Sequence, residues 1–419
     1  MEDVMPRLAD AVKEPAAARF LASKLQSGLA GEEKDKIFEA VLPEAAKLAL
    51  GRETSLLVQR LMEHDSEDQR LALAEKFRGE VLALSTNEHG CHVIQKAAEL
   101  LPEDARTSLV AELNGKVNEC ISSKHGNFVI QCVVRHMSPE EVGFILDEVT
   151  EKVETLAVHQ FGCRVIQRLL ERCTSSQVEP LVEGIMSRLD AVAKDRHGNY
   201  VVQCLMERAS KEVKTKIIDA IRSDLVSFAT NKAATHLVEK CFQVTTAGED
   251  AEFLKDEREW LYRAVLDEAD DGATSTLERL MQDKSGHFAV QSVIRHSREG
   301  EREELERRVL AKEEELNGTP TGKHILAAMR KAMGKETEED APAAEASKGA
   351  GVNHAGQAMV SKGSEIHGTG DCRPCAWFWK PQGCKNAENC EHCHACPEGA
   401  LKARKKQKKG KGGPDEIVD

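Results

Sequence analysis

Short apolar segments rich in Val, Ile and Leu recur along this chain at a constant interval, and each ends at a glutamine or a glutamate. Successive members of the series are 36 residues apart, except for one step of 52 residues after Glu239. The series comprises Gln59, Gln95, Gln131, Gln167, Gln203, Glu239 and Gln291, and its register continues to Ala327. A fixed period of this length predicts an array of helical repeats in which each repeat packs on its neighbours.

The repeated unit keeps a recognisable sequence. It reads His-Gly-Asn-Phe-Val-Ile-Gln at 125–131, His-Gly-Asn-Tyr-Val-Val-Gln at 197–203, His-Gly-Cys-His-Val-Ile-Gln at 89–95 and Phe-Gly-Cys-Arg-Val-Ile-Gln at 161–167. Amphipathic stretches such as 105–113 and 117–121 precede the unit, which indicates two or three short helices per repeat. A degenerate first repeat places Arg19-Phe20-Leu21 at the apolar pair, and a terminal unit follows at about 318–333. We therefore predict an all-α, crescent-shaped α-solenoid of eight repeats.

The step of 52 residues predicts an insertion in the last repeat. Its extra 16 residues fall in an acidic and mostly helix-forming stretch at 249–270. We expect an elongated loop and helix there, and residues 243–270 form a candidate docking surface.

Composition narrows the class of protein. Apolar residues make up 41% and aromatic residues 4% of the 419 residues, which suits a helical array packed by aliphatic side chains. The net charge of −13 argues against indiscriminate nucleic-acid binding, because that binding depends on Lys and Arg neutralising phosphates. The chain has no 18-residue apolar run and no signal-peptide pattern at its acidic N-terminus. An intracellular protein without membrane contact is expected.

Three positions per repeat share one helical face. On a helix that begins at Asn127, residues 127, 128 and 131 fall within one sector of about 100°, while Val129 and Ile130 point the opposite way. We therefore expect the apolar pair to be core and all three members of the triplet to line one exposed surface. The triplets are Ser55/Leu56/Gln59, Cys91/His92/Gln95, Asn127/Phe128/Gln131, Cys163/Arg164/Gln167, Asn199/Tyr200/Gln203, Thr235/His236/Glu239 and His287/Phe288/Gln291.

The middle residue of the triplet separates two interpretations. Repeated glutamines and aromatic residues are compatible with simple packing between helices. However, the middle position holds His, Phe, Arg, Tyr, His and Phe in turn, and a core position would not exchange Arg for Phe. Flat groups between hydrogen-bonding pairs are what recognition of unstacked bases requires. The pattern thus favours binding of single-stranded nucleic acid.

These motifs, together with Gly-Lys-His-Ile-Leu at 322–326, resemble those of the Pumilio family of single-stranded RNA-binding proteins. The resemblance covers roughly residues 15–333. It implies one base per repeat, with the RNA antiparallel to the protein. In the family's pattern Asn with Gln reads uracil, Cys or Ser with Gln reads adenine, and Ser with Glu reads guanine. The implied target is 5′-UGUAUA-3′. Independently, the carboxylate of Glu239 suits the N1–H and N2–H₂ donors of guanine.

Base assignments run from the C-terminal repeat towards the N-terminus. By resemblance, the six pairs from the first base onward are His287/Gln291 for uracil, Thr235/Glu239 for guanine, Asn199/Gln203 for uracil, Cys163/Gln167 for adenine, Asn127/Gln131 for uracil and Cys91/Gln95 for adenine. The chain departs from the family pattern at three positions, where Thr235 replaces Ser, His287 replaces Asn, and Leu56 replaces a flat residue.

A second candidate site lies near the C-terminus, where six of the 13 cysteines fall within residues 372–396. Cys375, Cys384, Cys390 and His394 have the spacing C-x8-C-x5-C-x3-H, which suits a structural zinc ion and is similar to CCCH zinc fingers. A zinc ribbon formed by Cys372, Cys375, Cys393 and Cys396 is the competing set. Asn386 and His392 stand where RNA-binding fingers of this type carry aromatic residues. The neighbouring Trp377, Phe378 and Trp379 are candidates for base stacking, for docking or for the core of the finger.

The predicted domains are a repeat domain at 1–333, a flexible linker at 334–370, the finger at 371–397 and a basic tail at 398–419. We expect a monomeric, non-enzymatic protein that binds messenger RNA and recruits effector proteins for post-transcriptional regulation. Two alternatives are a ribosome-biogenesis relative that binds precursor ribosomal RNA and a protein-binding helical scaffold. A cytoplasmic location is expected, with a nuclear or nucleolar one compatible with the basic tail.

Overall fold

A computed structural model describes residues 4–267, 274–334, 361–364, 373–378, 384, 386, 390–397 and 400–401. Within these ranges the chain forms helices and contains no strand, apart from an isolated bridge between Pro374 and Cys393. Contacts divide the chain into two units, Met1–Ala328 and Met329–Asp419. Among the described helices, none is both long enough and apolar enough to cross a membrane.

The first unit is built of successive three-helix repeats. It begins with the pair α1 (Leu8–Ala11) and α2 (Pro15–Gln26). The next four repeats are α3 (Glu32–Val41), α4 (Ala45–Ala49) and α5 (Thr54–His64); α6 (Glu67–Phe77), α7 (Val81–Thr86) and α8 (Gly90–Leu100); α9 (Glu103–Val110), α10 (Val117–Ser122) and α11 (Gly126–His136); and α12 (Gly143–Glu151), α13 (Val153–Leu156) and α14 (Gly162–Arg172).

The C-terminal half of the array continues in the same order. Its helices are α15 (Ser175–Met186), α16 (Leu189–Lys194) and α17 (Asn199–Arg208); α18 (Lys211–Ser223), α19 (Leu225–Thr230) and α20 (Thr235–Ala247); α21 (Lys255–Leu266), α22 (Thr276–Gln282) and α23 (Gly286–His296); and a terminal unit of α24 (Glu299–Leu310), α25 (Glu313–Asn317) and α26 (Pro320–Ala332). Short 3₁₀ turns lie at Met5–Arg7, Leu42–Glu44 and Ala111–Leu113. The predicted all-α solenoid of eight repeats is confirmed.

The third helix of each repeat forms a continuous row, because each packs on the next one along the chain. We call α2, α5, α8, α11, α14, α17, α20 and α23 the ladder helices. Their apolar pairs are core, as predicted: Val129 and Ile130 on α11, for example, are both fully buried. This buried stripe fixes the rotation of each ladder helix about its own axis, and therefore sets which residues face the open side of the row.

In the first repeat the sequence register was wrong by two residues. The predicted core segment began at Arg19, but Leu21 and Ala22 are the buried pair, while Arg19 and Phe20 are exposed. Phe20 is therefore in the register of the flat residues, 36 positions before Leu56. Because this repeat lacks the glutamine that marks the other units, the apolar pattern alone did not fix the alignment.

A glycine at the start of most ladder helices permits close packing on the preceding short helix. A Cβ added at Gly162 would lie 2.6 Å from the carbonyl oxygen of Leu156, and one at Gly286 would lie 2.6 Å from that of Leu280. Both distances are below normal van der Waals contact, so the backbones can approach only where the side chain is absent.

The insertion in the last repeat packs into the core of the helical array, whereas the sequence predicted an elongated loop and helix. Helix α21 occupies the place of the first helix of that repeat and buries Leu261 and Val265. Its Arg258 is 3% exposed and donates hydrogen bonds of 2.7 and 2.6 Å to the carboxylate of Glu301. One face of the helix is therefore core, and the extra length lies in the connections on either side of it.

Candidate nucleic-acid interface and metal centre

A polar residue caps the turn before each of six ladder helices. The carboxylate of Asp195, for example, accepts hydrogen bonds of 2.7 and 2.8 Å from the backbone N–H groups of His197 and Gly198. The residues in this role are Asn87, Ser123, His159, Asp195, Asn231 and Asp283. They keep the register of the repeat, but they lie before the segment on which the sequence prediction rests and are not among the predicted site residues. The caps fix where each ladder helix begins and thus where its triplet lies.

The first member of every triplet is buried, which corrects the expectation that all three members are exposed. These residues are Ser55, Cys91, Asn127, Cys163, Asn199, Thr235 and His287, with exposed fractions between 1% and 6%. In six of the seven, a side-chain donor bonds to a backbone carbonyl; for example, Nδ2 of Asn127 donates to the Ser123 carbonyl at 2.9 Å and Nδ2 of Asn199 donates to the Asp195 carbonyl at 3.0 Å. The first members therefore form the polar floor of the surface.

The third member is half-buried and hydrogen-bonded in one of two ways. In two repeats the glutamine Nε2 donates to the asparagine Oδ1 of its own triplet, at 3.0 Å for Gln131 and 2.8 Å for Gln203. In two others Nε2 donates to the backbone carbonyl of the cysteine, at 3.0 Å for Gln95 and 2.9 Å for Gln167. In all four, one Nε2 hydrogen is used internally, so Oε1 and the second hydrogen are available to a ligand. Gln59 and Gln291 are also half-buried.

The middle member is the exposed one. Phe128, Tyr200 and Phe288 are 55%, 43% and 42% exposed, and the side chains of His92, Arg164 and His236 are exposed as well. Only Leu56 is half-buried, in keeping with its departure from the flat pattern.

Neighbouring flat groups already approach one another. The Arg164 guanidinium lies 5.1 Å from the centre of the Tyr200 ring, and the His236 and Phe288 rings are 6.3 Å apart. A base stacked between two such groups requires them to be separated by about twice the carbon contact distance of about 3.5 Å. Small side-chain rotations are therefore enough to open a stacking position.

The triplet of the seventh repeat, Thr235/His236/Glu239, differs from the rest in its hydrogen bonds. Oγ1 of Thr235 donates across the repeat boundary to the Ser285 carbonyl at 3.3 Å, and Nδ1 of His236 lies 3.3 Å from the Glu239 carboxylate. A cavity of about 530 Å³ opens beside this triplet and is lined by Glu239, Lys240 and Arg295, among others. A carboxylate acceptor therefore faces a space large enough for a base.

The triplet of the eighth repeat, His287/Phe288/Gln291, places an imidazole on the floor of the surface. His287 is 6% exposed, its ring is 4.0 Å from that of Phe288, and its Nδ1 has no hydrogen-bond partner among the described residues. Burial lowers the pKa of His287, and the nearby His324 lowers it further. His324 lies in the register of the flat residues, is exposed and is 6.4 Å from His287. His324 and Phe20 extend the row of flat groups at its two ends, and both were missed although the period identifies them.

The predicted cysteine and histidine ligands lie together in the second unit. Donor atoms of Cys375, Cys384, Cys390 and His394 all lie within 4.8 Å of one another, and the Cys375 and Cys390 sulfurs are 3.8 Å apart. Tetrahedral zinc with bonds of about 2.3 Å to sulfur requires sulfur–sulfur edges of about 3.8 Å, so the residues fit that ion. The competing set includes Cys372, which lies outside the described residues, and the basic tail also lies outside them.

Aromatic residues near these ligands have separable roles. Phe378 stacks on the ring of His394 with a centroid distance of 4.2 Å, so it belongs to the core of this small module. Trp377 is 53% exposed, and Trp379 lies outside the described residues.

A sequence profile described as the Pumilio-family RNA binding repeat matches six stretches of the chain. They are residues 55–76, 80–113, 116–150, 152–186, 190–222 and 278–309. Each stretch contains one ladder helix, and α20 lies in the interval between the last two.

A curated relative and several solved structures are similar to the chain. Pumilio homolog 1 of Xenopus laevis is 32% identical over 93 residues, which are 22% of this chain and 8% of the frog protein. The structure of PUF-8 in complex with PBE-RNA is 28% identical, with a TM-score of 0.72 over 78% of this chain and 93% of that one. The Puf3 RNA binding domain bound to site A of the Cox17 RNA 3′ UTR is 25% identical, with a TM-score of 0.68 over 78% and 96%.

Proposed function

We propose that the helical array, six stretches of which match the Pumilio-family RNA binding repeat, binds single-stranded RNA in a sequence-specific manner through the triplets of its ladder helices. The main support for this proposal is that exposed flat groups alternate with half-buried amide groups, and that internal hydrogen bonds set the orientation of these amides. Flat groups supply stacking energy that every base can use, and the oriented amides distinguish one base edge from another. The matched repeats belong to a family of RNA-binding proteins and not to an enzyme family, which agrees with the prediction that this protein is not an enzyme.

The proposed target is an element similar to 5′-UGUAUA-3′, read from the eighth repeat towards the third. The uracil-reading pairs are Asn127/Gln131, Asn199/Gln203 and His287/Gln291, the adenine-reading pairs are Cys91/Gln95 and Cys163/Gln167, and Thr235/Glu239 reads guanine. Ser55 and Gln59 contact the RNA beyond this element.

Chemical complementarity supports these assignments. A glutamine edge with one free acceptor and one free donor complements the N3–H and O4 of uracil or the N6–H₂ and N1 of adenine. The carboxylate of Glu239 only accepts, and guanine alone presents two adjacent donors on its pairing edge.

Stacking is assigned to the exposed middle residues His92, Phe128, Arg164, Tyr200, His236 and Phe288. Aromatic rings and a guanidinium plane stack on any base, and such contacts contribute about 1–3 kcal/mol per base. The net charge of −13 supports a mode of binding that depends on these contacts more than on general attraction to phosphates.

The cellular role that this binding supports is post-transcriptional control of messenger RNA through elements in 3′ untranslated regions. The similar Puf3 domain is bound to a recognition sequence from the Cox17 3′ UTR, and PUF-8 is bound to PBE-RNA. We propose that this chain also binds elements in 3′ untranslated regions, that it does so as a cytoplasmic monomer, and that it regulates messenger RNA stability or translation through recruited effector proteins.

The second unit is proposed to hold one zinc ion through Cys375, Cys384, Cys390 and His394. Three thiolates and an imidazole at these separations are a donor set suited to structural zinc. The ion would supply the folding free energy that so small a segment lacks by itself.

Fluorescence anisotropy tests the RNA proposal directly. The full chain is titrated into labelled UGUAUAAU and into the same RNA with UGU changed to ACA. We expect nanomolar binding to the first RNA and at least a hundredfold weaker binding to the second, since several base contacts of about 1–3 kcal/mol are lost. Equal affinity for both RNAs would refute sequence-specific recognition.

A further inference from the structure

A short segment that precedes the Cys/His sequence lies against the loop that carries His394. It comprises Ser361 and the 3₁₀ turn Lys362–Ser364. Ser361 and Ser364 are 2% and 0% exposed, although serine is mostly a surface residue. Two neighbouring buried hydroxyl groups require specific hydrogen-bond partners, because an unpaired buried hydroxyl destabilises the folded state.

Both hydroxyl groups have partners on the loop. Oγ of Ser361 donates to the carbonyl oxygen of His392 at 2.9 Å and accepts from the backbone N–H of His394 at 3.2 Å. Oγ of Ser364 accepts from the same N–H at 3.1 Å and lies 2.6 Å from Oγ of Ser361. The two hydroxyls are therefore within hydrogen-bond distance of each other as well as of the loop.

The opposite side of the same loop is held by the segment that carries another candidate ligand. The backbone N–H of Cys393 donates to the Arg373 carbonyl at 2.7 Å, and that of Cys375 donates to the Cys393 carbonyl at 3.0 Å. These bonds fix the register between the chain at Cys375 and the chain at His394. The loop is therefore held between two segments, and the serines supply one side.

From this geometry we propose that Ser361 and Ser364 are positioning residues of the metal site and that the metal-binding module begins at or before Ser361. The inference rests on the proposed zinc site. Groups that hydrogen-bond to the ligand-bearing chain orient the ligands, and their loss typically weakens metal binding by about 10–100-fold. Without the two hydroxyls, the backbone N–H of His394 has neither of these acceptors and the imidazole is less restricted.

The test uses the full chain, with zinc affinity measured by chelator competition and ligand geometry by the absorption of Co²⁺ bound in place of zinc. We expect the double variant Ser361→Ala/Ser364→Ala to bind zinc about 10–100-fold more weakly and to give an altered Co²⁺ spectrum. The matched control is Lys362→Ala, since Lys362 lies between the two serines but is exposed. Ser361→Thr retains the hydroxyl and should bind zinc more tightly than Ser361→Ala.

Two results would overturn this assignment. Wild-type zinc affinity and an unchanged Co²⁺ spectrum in the double variant would show that the serines do not position the ligands. A loss of metal binding accompanied by loss of the helical circular dichroism signal would point to general unfolding instead. Failure of the wild-type chain to bind one equivalent of zinc is a separate outcome, which refutes the metal site itself.

Discussion

Nε2 of Gln131 donates a hydrogen bond of 3.0 Å to Oδ1 of Asn127, so the first residue of the triplet determines what holds the third. In the preceding repeat Cys91 has no side-chain oxygen, and Gln95 donates to the Cys91 backbone carbonyl at 3.0 Å instead. The two glutamines are thus anchored at different acceptors. A change at the first position should therefore alter base preference without any change of the glutamine.

The first prediction exchanges these two arrangements. Asn127→Cys should convert the fourth repeat to the arrangement of the third and shift its preference from uracil towards adenine. The expected change in relative affinity is about 10-fold or more, corresponding to the 1–3 kcal/mol of a good base contact. Competition between UGUAUAAU and UGUAAAAU measures it. Retained preference for uracil would show that Asn127 does not influence base choice.

A second prediction concerns stacking. Phe128→Ala should weaken RNA binding by about 5–150-fold, because one base loses an aromatic platform of about 1–3 kcal/mol. Thermal stability should change little, since Phe128 is 55% exposed in the free protein. Phe253→Ala is the control, because Phe253 is 51% exposed but lies outside the ladder helices. Equal RNA affinities of the two variants would argue against stacking at Phe128.

The third prediction follows from the buried imidazole of His287. Burial lowers its pKa in the folded state, so below the unfolded-state value of about 6.5 the unfolded chain binds a proton that the folded chain does not. The free energy of unfolding should therefore decrease as the pH drops through about 6.5, because of His287. This decrease should end below the lowered pKa of His287 in the folded state.

The variant His287→Asn should lose less stability at low pH than the wild type, because asparagine does not titrate. Thermal unfolding of both proteins at pH 7.5 and 5.5 measures the difference. His296, whose pKa is also lowered by burial, should contribute equally in the two proteins. An identical pH dependence in wild type and variant would contradict a neutral His287.

Most features of the helical array can be predicted from its 36-residue period, and those that cannot have physical causes. Val129 and Ile130 are core and Phe128 is exposed because a constant repeat places each residue at a constant angle on its helix. The hydrogen bond from Thr235 to the Ser285 carbonyl, in contrast, crosses a repeat boundary, and periodicity within one helix does not reveal that contact. Phe20 was misaligned because its repeat lacks the marker glutamine.

The segment at 361–364 illustrates a different limit. Ser361 and Ser364 are short polar residues in a stretch that resembles a linker by composition, so nothing in their local sequence indicates burial. Their role depends on hydrogen bonds to His392 and His394, which are about 30 residues away. Turn residues such as Asp195, in contrast, repeat with the period and could have been identified.

The last prediction concerns Glu239, which is half-buried and provides the only carboxylate among the seven triplets. The double variant Thr235→Asn/Glu239→Gln reproduces the triplet of the sixth repeat except for its flat residue. It should change the preferred second base from guanine to uracil, because a glutamine edge offers one donor and one acceptor whereas a carboxylate only accepts. We expect the relative affinity for UGUAUAAU and UUUAUAAU to reverse, with each base contact contributing about 1–3 kcal/mol.

The single variants separate the two contributions to this change. Glu239→Gln alone should lose most of the guanine preference, because it removes the acceptor for N1–H and N2–H₂. Thr235→Asn alone should keep that preference, because the carboxylate remains, although loss of the Thr235 bond to the Ser285 carbonyl should cost about 1 kcal/mol of stability. Because α20 lies between the stretches that match the family profile, this repeat is the most stringent test of whether the base pattern extends to the whole array. An unchanged guanine preference in the double variant would mean that the second base is recognised by other residues, and the lining of the adjacent cavity, with Lys240 and Arg295, would then be the first place to look.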